Sequence, residues 1–202
     1  MKSWSFGGGP KSVSYRVFDG LRIVVNRSMV RYLLKHGIHQ SGKRVLEAGA
    51  GPAYASSLLG SSDKVSLAAA VDLDLEALRQ GKERDGRLAA VVADIRRLPF
   101  RDGSFDMVWN SSTVEHLEHP AAAVSEMQRV ASKNGYVFVG VPFRHGPLGF
   151  QRWIAESAAG IWIGRVFEAA QLRDLLECGG YKVVKTRMYF FYFFIGMLAR
   201  RG

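Results

Sequence analysis

The sequence contains little cysteine, fewer acidic than basic residues, and no long apolar run. Its one cysteine, Cys178, excludes an intrachain disulfide and is typical of a reducing compartment, so we expect a cytoplasmic protein. No stretch of about 18–20 apolar residues is present, so no membrane-spanning helix is expected. The first residues lack an apolar signal region, which argues against secretion.

The shortage of acidic residues leaves a net charge of +10, and this charge is unevenly placed. Residues 1–44 carry +8 and residues 144–202 carry +5, whereas residues 45–143 carry −3. Such basic flanks favour an anionic partner: a phosphorylated or carboxylated metabolite, an acidic lipid surface or nucleic acid. A basic surface that is merely solvated explains the charge equally well.

The central part of the sequence contains a strand–loop–helix–strand pattern with acidic residues near the strand ends. An apolar strand containing Glu47 leads into a loop with Gly49 and Gly51, and a second apolar strand ends at Asp72. A third acid, Asp94, follows the next apolar run. Because ligands of open α/β sheets bind at the carboxyl ends of the strands, these acids predict a site for a nucleoside-containing cofactor.

Three residues argue against a dinucleotide in this site. The third glycine of the dinucleotide motif is replaced by Tyr54, and Pro52 removes an N–H donor where the next helix is expected to begin. Glu47 adds a negative charge where a pyrophosphate would lie. The loop therefore suits a ligand with a cationic amino or sulfonium group, although Glu47 could instead pair with Arg44.

Several motifs in order resemble those of the class I S-adenosylmethionine-dependent methyltransferases, in the methyltransferase 11-like subgroup. The segment Glu47–Ala53 is similar to the E/D-x-G-x-G-x-G motif of that family, with alanine at its last position, and Asn110–Leu117 resembles the segment after the fourth strand. The resemblance covers residues 43–143 and, more loosely, 166–200. It implies a Rossmann-like α/β fold with a seven-stranded, mostly parallel sheet, helices on both faces and a final antiparallel strand.

The resemblance also implies S-adenosylmethionine as cofactor. In the family, the acid at the position of Asp72 holds the ribose hydroxyls, and the acid at the position of Asp94 approaches the adenine amino group. The complete set of expected cofactor-binding residues is Glu47, Ala48, Gly49, Gly51, Asp72, Leu73, Asp94, Ile95, Asn110 and Ser111. A helix cap for Asp72 and a solvated turn for Asp94 are the plainer alternatives, and Asp74 is expected to cap the helix that follows it.

We expect one domain over residues 1–202, in which a basic helical cap precedes the cofactor-binding core and a substrate lid follows it. The parts are the cap at 1–40, the core at 43–142, the lid insertion at 143–166, and the last helix with the C-terminal strands at 167–202. Within the core, strands are predicted near 43–48, 65–72, 88–93, 105–110 and 135–141, with helices near 52–60, 74–82 and 120–132.

Two aromatic segments lie outside this core. Phe150, Trp153 and Trp162 in the lid predict a pocket for an apolar or aromatic moiety, unless these rings only pack the lid onto the sheet. The run Tyr189–Leu198 is interpreted as a buried seventh strand rather than a membrane-surface anchor, with part of it exposed as a dimer or lipid contact.

Few residues qualify for chemistry on the acceptor. The candidates for a general base are His145, just after the fifth strand, and His116, after the fourth. Because the pair Glu115–His116 belongs to the family pattern, it is interpreted as structural, which leaves His145. His116 and His119 are three residues apart and could share a face, but no third ligand is indicated, so we expect no metal. The segment Asn110–Thr113 lacks the proline and aromatic residue of the N/D-P-P-Y/F/W motif, which argues against methylation of exocyclic amines in nucleic acids.

We therefore expect an enzyme that transfers a methyl group from S-adenosylmethionine, by in-line displacement, to oxygen, nitrogen or carbon of a small molecule. The acceptor is expected to be anionic or partly apolar, and the protein to be a monomer or homodimer. Two alternatives stay open: an RNA or protein methyltransferase that docks through the basic flanks, and a nucleoside-binding module without catalysis.

Overall fold

The computed structural model describes residues 13–146 and 164–202 of the chain. Helices and strands alternate along most of this length, as the sequence pattern predicts. The elements in chain order are α1 (Val13–His36), β1 (Lys43–Ala48), α2 (Tyr54–Gly60), β2 (Val65–Asp72), α3 (Leu75–Arg84), β3 (Ala89–Val92), β4 (Phe105–Ser111), a 3-10 turn (Val114–His116), α4 (Pro120–Val130), β5 (Ala131–Pro142), α5 (Ala169–Glu177), β6 (Tyr181–Tyr189) and β7 (Phe194–Arg201).

The strands form one seven-stranded sheet in the order β3-β2-β1-β4-β5-β7-β6. The first five strands pair in parallel, whereas β7 runs antiparallel to both β5 and β6. This confirms the predicted mostly parallel sheet with a final antiparallel strand. Because β6 runs in the direction of β5, the carboxyl ends of β1 to β6 meet at one edge of the sheet.

Both faces of the sheet are covered, which is why its central strands are nearly continuous apolar runs. On one face, Leu33 of α1 and Leu59 of α2 pack with Trp109 and Phe138, and all four side chains are buried. The opposite face packs against α4 and α5 through a larger cluster that includes Leu46, Val108, Met127, Val139, Leu172 and Leu176. The sheet thus holds the ends of its strands in fixed relative positions.

Helix α1 is hydrogen-bonded to β6, the strand at one edge of the sheet. The guanidinium of Arg187 donates to the backbone oxygen of Ser28 at 3.2 Å and to its hydroxyl at 2.5 Å. The same guanidinium lies 4.9 Å from the ring centroid of Tyr32. Arg27 and Arg31 on this helix are exposed. The C-terminal half of α1 therefore packs on the sheet while keeping basic side chains in solvent.

The largest boundary error of the sequence prediction concerns β5. This strand begins at Ala131, which pairs with Phe105, and not near residue 135. Residues Asn134 and Gly135 therefore lie inside the strand. A register shift between Phe105 and Met107 accommodates the extra length, and such an irregularity leaves no signal in the sequence pattern.

The aromatic run Tyr189–Leu198 is not one strand, which corrects the prediction. Tyr189 ends β6, residues 190–193 form a turn, and β7 begins at Phe194. Phe190, Phe191 and Tyr192 all have left-handed backbone conformations, with φ of 51°, 52° and 65°. Phe191 and Tyr192 are 78% and 67% exposed, so part of the run does face solvent.

Residues 1–12 and 147–163 lie outside the described part of the chain. Most of the predicted lid at 143–166, with Phe150, Trp153 and Trp162, falls there, as does the start of the predicted cap. Within residues 13–146 and 164–202, no helix has both the length and the apolar character needed to cross a membrane.

Candidate active site

The loop between β1 and α2 is built from residues with unusual backbone conformations. Gly49, Gly51 and Ala53 have φ of 75°, 49° and 52°, a region that side chains disfavour. The Thr113 hydroxyl donates to Gly49 O at 3.0 Å, and its side chain fills the space that a Cβ at position 49 would need. Position 49 thus requires glycine, both for its left-handed backbone conformation and for its close packing against Thr113.

Asp72 links the end of β2 to this loop. Its Oδ2 atom accepts the Gly51 N–H at 2.7 Å, and its Oδ1 atom accepts the Asp74 N–H at 2.9 Å. Asp74 in turn caps α3 by accepting the N–H groups of Glu76 and Ala77, both at 3.0 Å. The predicted cap is confirmed, and Asp72 is a separate residue held at the mouth of the glycine loop.

The loop offers no N–H donor to a pyrophosphate. All four N–H groups of residues 49–53 donate within the protein: two to Val71 O, one to the Asp72 carboxylate and one to Ala50 O. Pro52 has no N–H and lies in the loop, before the first residue of α2, rather than at the helix entrance as expected. Within residues 49–53, every N–H group that a pyrophosphate could use is therefore already bonded inside the protein.

Glu47 is buried beside the loop and is held by α2. Its Oε2 atom accepts the Ser56 N–H at 3.1 Å and the Ser56 hydroxyl at 2.6 Å. Burial raises the pKa of this carboxyl to about 8, against the opposing effect of the Ser56 bonds, and nearby Asp72 raises it further. Arg44 pairs with Asp106 instead, so the alternative of a Glu47–Arg44 pair is wrong.

Asp94 follows β3 and is held by Arg96. The guanidinium donates to both carboxylate oxygens, with Nε at 3.0 Å from each and Nη2 at 2.6 Å from Oδ2. These bonds lower the pKa of Asp94. Next to it, Ile95 is buried at 5% exposure, while Leu73 after β2 is half exposed. Ile95 thus packs into the core, whereas Leu73 is open to solvent.

Asn110 and Ser111 end β4, and both bond within the protein. The buried Asn110 amide donates to Ala48 O, and its oxygen accepts the Val114 N–H at 3.4 Å. This amide ties the end of β1 to the turn after β4. Ser111 Oγ lies 2.8 Å from the Tyr189 hydroxyl. Whether either contacts a cofactor stays a prediction.

The three histidines of interest, His116, His119 and His145, differ in burial. His145 is exposed in a turn after β5, at the same edge of the sheet, and its role stays a prediction. The His116 side chain is largely buried beside Glu115, whereas that of His119 is 76% exposed, so the two do not share a site. Within the described ranges, no group of three or more His, Cys, Asp or Glu side chains could hold a metal.

Sequence reasoning missed three residues that shape the site: Ser56, Thr113 and Tyr189. Each meets its partner only through the fold, at sequence separations of 9, 64 and 78 residues. Tyr189 was part of a recognised aromatic run, but nothing in the run distinguished it from its neighbours.

Together these features define the class of protein. It is a Rossmann-like α/β protein with acids at or near the ends of three neighbouring strands, and the N–H groups of its glycine loop all donate within the protein. Residues 46–139 match the protein family described as a methyltransferase domain. Residues 46–139 therefore form a class I S-adenosylmethionine-dependent methyltransferase domain, which confirms the resemblance seen in the motifs, and S-adenosylmethionine is the cofactor of that family.

Curated relatives agree with this assignment. The probable S-adenosylmethionine-dependent methyltransferase of Mycolicibacterium smegmatis is 31% identical over 146 residues, covering 72% of this chain and 54% of that protein. The malonyl-(acyl-carrier protein) O-methyltransferase of Laribacter hongkongensis is 34% identical over 109 residues, covering 48% of this chain and 37% of that protein. The chain thus spans about half or less of the length of these relatives.

Solved structures show the same fold. The magnesium protoporphyrin IX methyltransferase of Synechocystis, with bound S-adenosylhomocysteine, has a TM-score of 0.78 at 18% identity, covering 97% of this chain and 90% of that one. The methyltransferase in complex with the Trm112 activator from Haloferax volcanii has a TM-score of 0.75 at 15% identity, covering 93% and 94%.

Proposed function

We propose that this protein transfers the methyl group of S-adenosylmethionine to a small-molecule acceptor. The observation that carries the proposal is the order of three acids along one edge of the sheet: Asp94 after β3, Asp72 at the end of β2, and Glu47 near the end of β1. Neighbouring strands lie about 4.8 Å apart. The three carboxyls therefore suit an elongated ligand whose adenine, ribose and amino-acid parts follow one another along its length.

Each acid has chemistry that fits one part of this ligand. Asp72, already oriented by Gly51 and Asp74, can accept the ribose hydroxyls with its remaining lone pairs. Asp94 can accept the adenine amino group if Arg96 shares the carboxylate. Glu47, whose pKa is about 8, loses its proton more readily beside the cationic amino group of the ligand. The three residues thus bind and orient the cofactor.

When bound, the sulfonium of S-adenosylmethionine supplies a methyl group that is already activated by positive charge. The contribution of the chain is to align the acceptor with that methyl group and to exclude water. The loop held by Thr113 and Asp72 serves the alignment, because its backbone is fixed by hydrogen bonds within the protein.

The choice of a small-molecule acceptor is supported by relatives whose names specify one. The demethylmenaquinone methyltransferase of Beutenbergia cavernae is 38% identical over 98 residues, covering 48% of this chain and 40% of that protein. Demethylmenaquinone, like the magnesium protoporphyrin of the Synechocystis enzyme, has a large apolar part. We also propose a cytoplasmic location, which the single, unpaired and exposed Cys178 supports.

A second candidate, an RNA methyltransferase, is supported by a groove beside the glycine loop. The groove lies between α1, α2 and α3, and its basic side chains are Arg27, Arg84 and Arg87. The Arg84 guanidinium stands 3.7 Å from the centroid of the Tyr54 ring, so the groove holds one aromatic ring beside its basic groups. Binding of RNA through such a groove would weaken steeply with salt.

One labelling experiment separates these functions. The protein is incubated with S-adenosylmethionine labelled in its methyl group, together with a small-metabolite extract, total RNA or a protein extract, and Asp72→Asn serves as the inactive control. We expect label in the small-metabolite fraction. Label in RNA, lost at high salt, would favour the second candidate. Cofactor binding without label in any fraction would identify a nucleoside-binding module.

A further inference from the structure

A buried group of polar side chains lies at the carboxyl ends of β4 and β6, outside the three acids described above. This polar cluster consists of Ser111, Glu115, His116 and Tyr189. The Ser111 and Tyr189 oxygens lie 2.8 Å apart. Burial raises the pKa of the Tyr189 phenol, and the negative charge of Glu115 raises it further. The cluster thus joins two strand ends of the sheet.

Within the cluster, Glu115 is left incompletely satisfied. The residue is 3% exposed, and its Oε2 atom has no hydrogen-bond partner among the described residues. Its Oε1 atom lies 3.9 Å from His116 Nε2, which is beyond a hydrogen bond. A buried carboxyl oxygen without a partner is costly and uncommon in native proteins. A ligand that offers a proton to this oxygen would remove the cost.

The position of Glu115 points to the acceptor side of the site. In the sheet, β4 lies next to β1, on the side away from β2 and β3. If the adenine lies near Asp94 and the amino-acid end near Glu47, the ligand runs towards β4. Thr113, two residues before Glu115, contacts the glycine loop directly through Gly49 O. Glu115 therefore lies beyond the amino-acid end of the cofactor site, on the side where the acceptor is expected.

We propose that Glu115, in place of the exposed His145, is the general base of the methyl transfer, an inference that rests on the proposed function. The Glu115 carboxylate takes the proton from an O–H or N–H group of the acceptor. The lone pair of that oxygen or nitrogen forms the bond to the methyl carbon, and the carbon–sulfur electron pair leaves with the sulfur, which becomes neutral. The hydroxyl pair of Ser111 and Tyr189 is placed to position the acceptor beside this carboxylate.

The surroundings of Glu115 suit this role. Burial raises the pKa of the carboxyl to about 8, which places it near the range where a general base is most effective. Among the described residues, the titratable and charged groups that face it include His116 on the same turn, Tyr189 on β6, and Arg187 beyond that phenol. Arg165 contacts it through a backbone N–H that donates to Glu115 O.

This assignment also narrows the class of acceptor. A base is needed for a hydroxyl, phenol or protonated amine, each of which must lose a proton when it is methylated. A carboxylate acceptor has no proton to lose, and the negative charge of Glu115 would repel it. We therefore infer a neutral hydroxyl compound or an amine as the acceptor, bound with the proton-bearing group towards β4.

The test uses two ligands that differ at the reacting centre and needs no known acceptor. Sinefungin carries an amine-bearing carbon where S-adenosylmethionine has its methylsulfonium, whereas S-adenosylhomocysteine carries only a neutral sulfur. Calorimetric titration at about pH 8 compares wild type, Glu115→Gln and the control Glu118→Gln, whose side chain is 86% exposed. We expect the preference for sinefungin over S-adenosylhomocysteine to fall roughly tenfold in Glu115→Gln only.

The other outcomes contradict the inference in distinguishable ways. An unchanged preference in Glu115→Gln would show that this carboxyl does not face the reacting centre. Equal weakening of both ligands would show that Glu115 only supports the fold, and a thermal unfolding scan of the same samples would show the same loss of stability. Wild type that binds neither ligand would contradict the proposed function itself, and with it the role of Glu115.

Discussion

The carboxylate of Asp72 accepts the backbone N–H of Gly51 at 2.7 Å, and this bond joins the end of β2 to the glycine loop after β1. The second oxygen of the same carboxylate accepts the Asp74 N–H at 2.9 Å. The acid expected to hold the ribose therefore also fixes the loop that the cofactor approaches. A loop whose backbone is held by the protein itself loses less conformational entropy when a ligand binds to it.

Asp72 variants should separate these two roles. Asp72→Ala leaves two N–H groups without their acceptor, so we expect the free energy of unfolding to fall by about 1–3 kcal/mol. Asp72→Asn keeps one acceptor oxygen, so its free energy of unfolding should fall by less. Urea unfolding followed by circular dichroism measures both. Equal stability of wild type and Asp72→Ala would contradict a structural role of the carboxylate.

The two loop glycines should differ in their tolerance of a side chain. Gly49→Ala forces a left-handed φ of 75° and a clash with Thr113, whose nearest atom is 2.5 Å from the added Cβ. We expect a loss of about 2–4 kcal/mol in the free energy of unfolding. Gly51→Ala, with open space around its Cβ, is the matched control and should lose only about 1 kcal/mol. Similar losses would mean that Thr113 moves aside.

Burial of Glu47 should make stability depend on pH. The pKa of Glu47 rises from its ordinary value of 4.5 to about 8 on folding. Between these values the folded state binds the extra proton, so stability falls as pH rises. Relative to Glu47→Gln, wild type should lose up to about 1.4 kcal/mol per pH unit in this window. Urea unfolding at several pH values measures the difference, and a constant difference would contradict a buried carboxyl.

The hairpin turn between β6 and β7 should be stabilised by glycine. Phe191 has a left-handed φ of 52° and is 78% exposed, so its ring contributes little packing. We expect Phe191→Gly to raise the free energy of unfolding by about 0.5–1 kcal/mol, because glycine adopts this conformation without strain. Phe191→Ala removes the ring but keeps the strained conformation, and thermal unfolding should show almost no change for it. A gain in both variants would assign the effect to the ring instead.

Much of the fold could be predicted from the sequence because buried parallel strands appear as short apolar runs. Strands β1 and β2 were predicted with their observed limits, since each is apolar and is followed by a glycine or a helix cap. The hairpin at residues 190–193 could not be predicted. It has no glycine, proline or asparagine, and its left-handed aromatic residues run against the ordinary preferences for turns.

Residues of the site could be predicted only where a local sequence pattern identifies them. The glycine loop and the acids at strand ends are local patterns, so they were named in advance. The hydrogen bonds from Ser56 to Glu47 and from Thr113 to Gly49 depend on how α2 and the turn after β4 pack. The ion pair between Arg96 and Asp94 is local, but the sequence gives several basic neighbours and no means of choosing among them.

The most direct test of the account is calorimetric titration of S-adenosylmethionine, S-adenosylhomocysteine and NAD into wild type and Asp72→Asn. Asp63→Asn, an exposed position at the other edge of the sheet, is the control. We predict that wild type and the control bind both adenosyl ligands but not NAD, and that Asp72→Asn binds them at least tenfold more weakly, a difference of about 1.4 kcal/mol. Wild type that binds neither adenosyl ligand, or Asp72→Asn that binds them as tightly as wild type, would contradict the account.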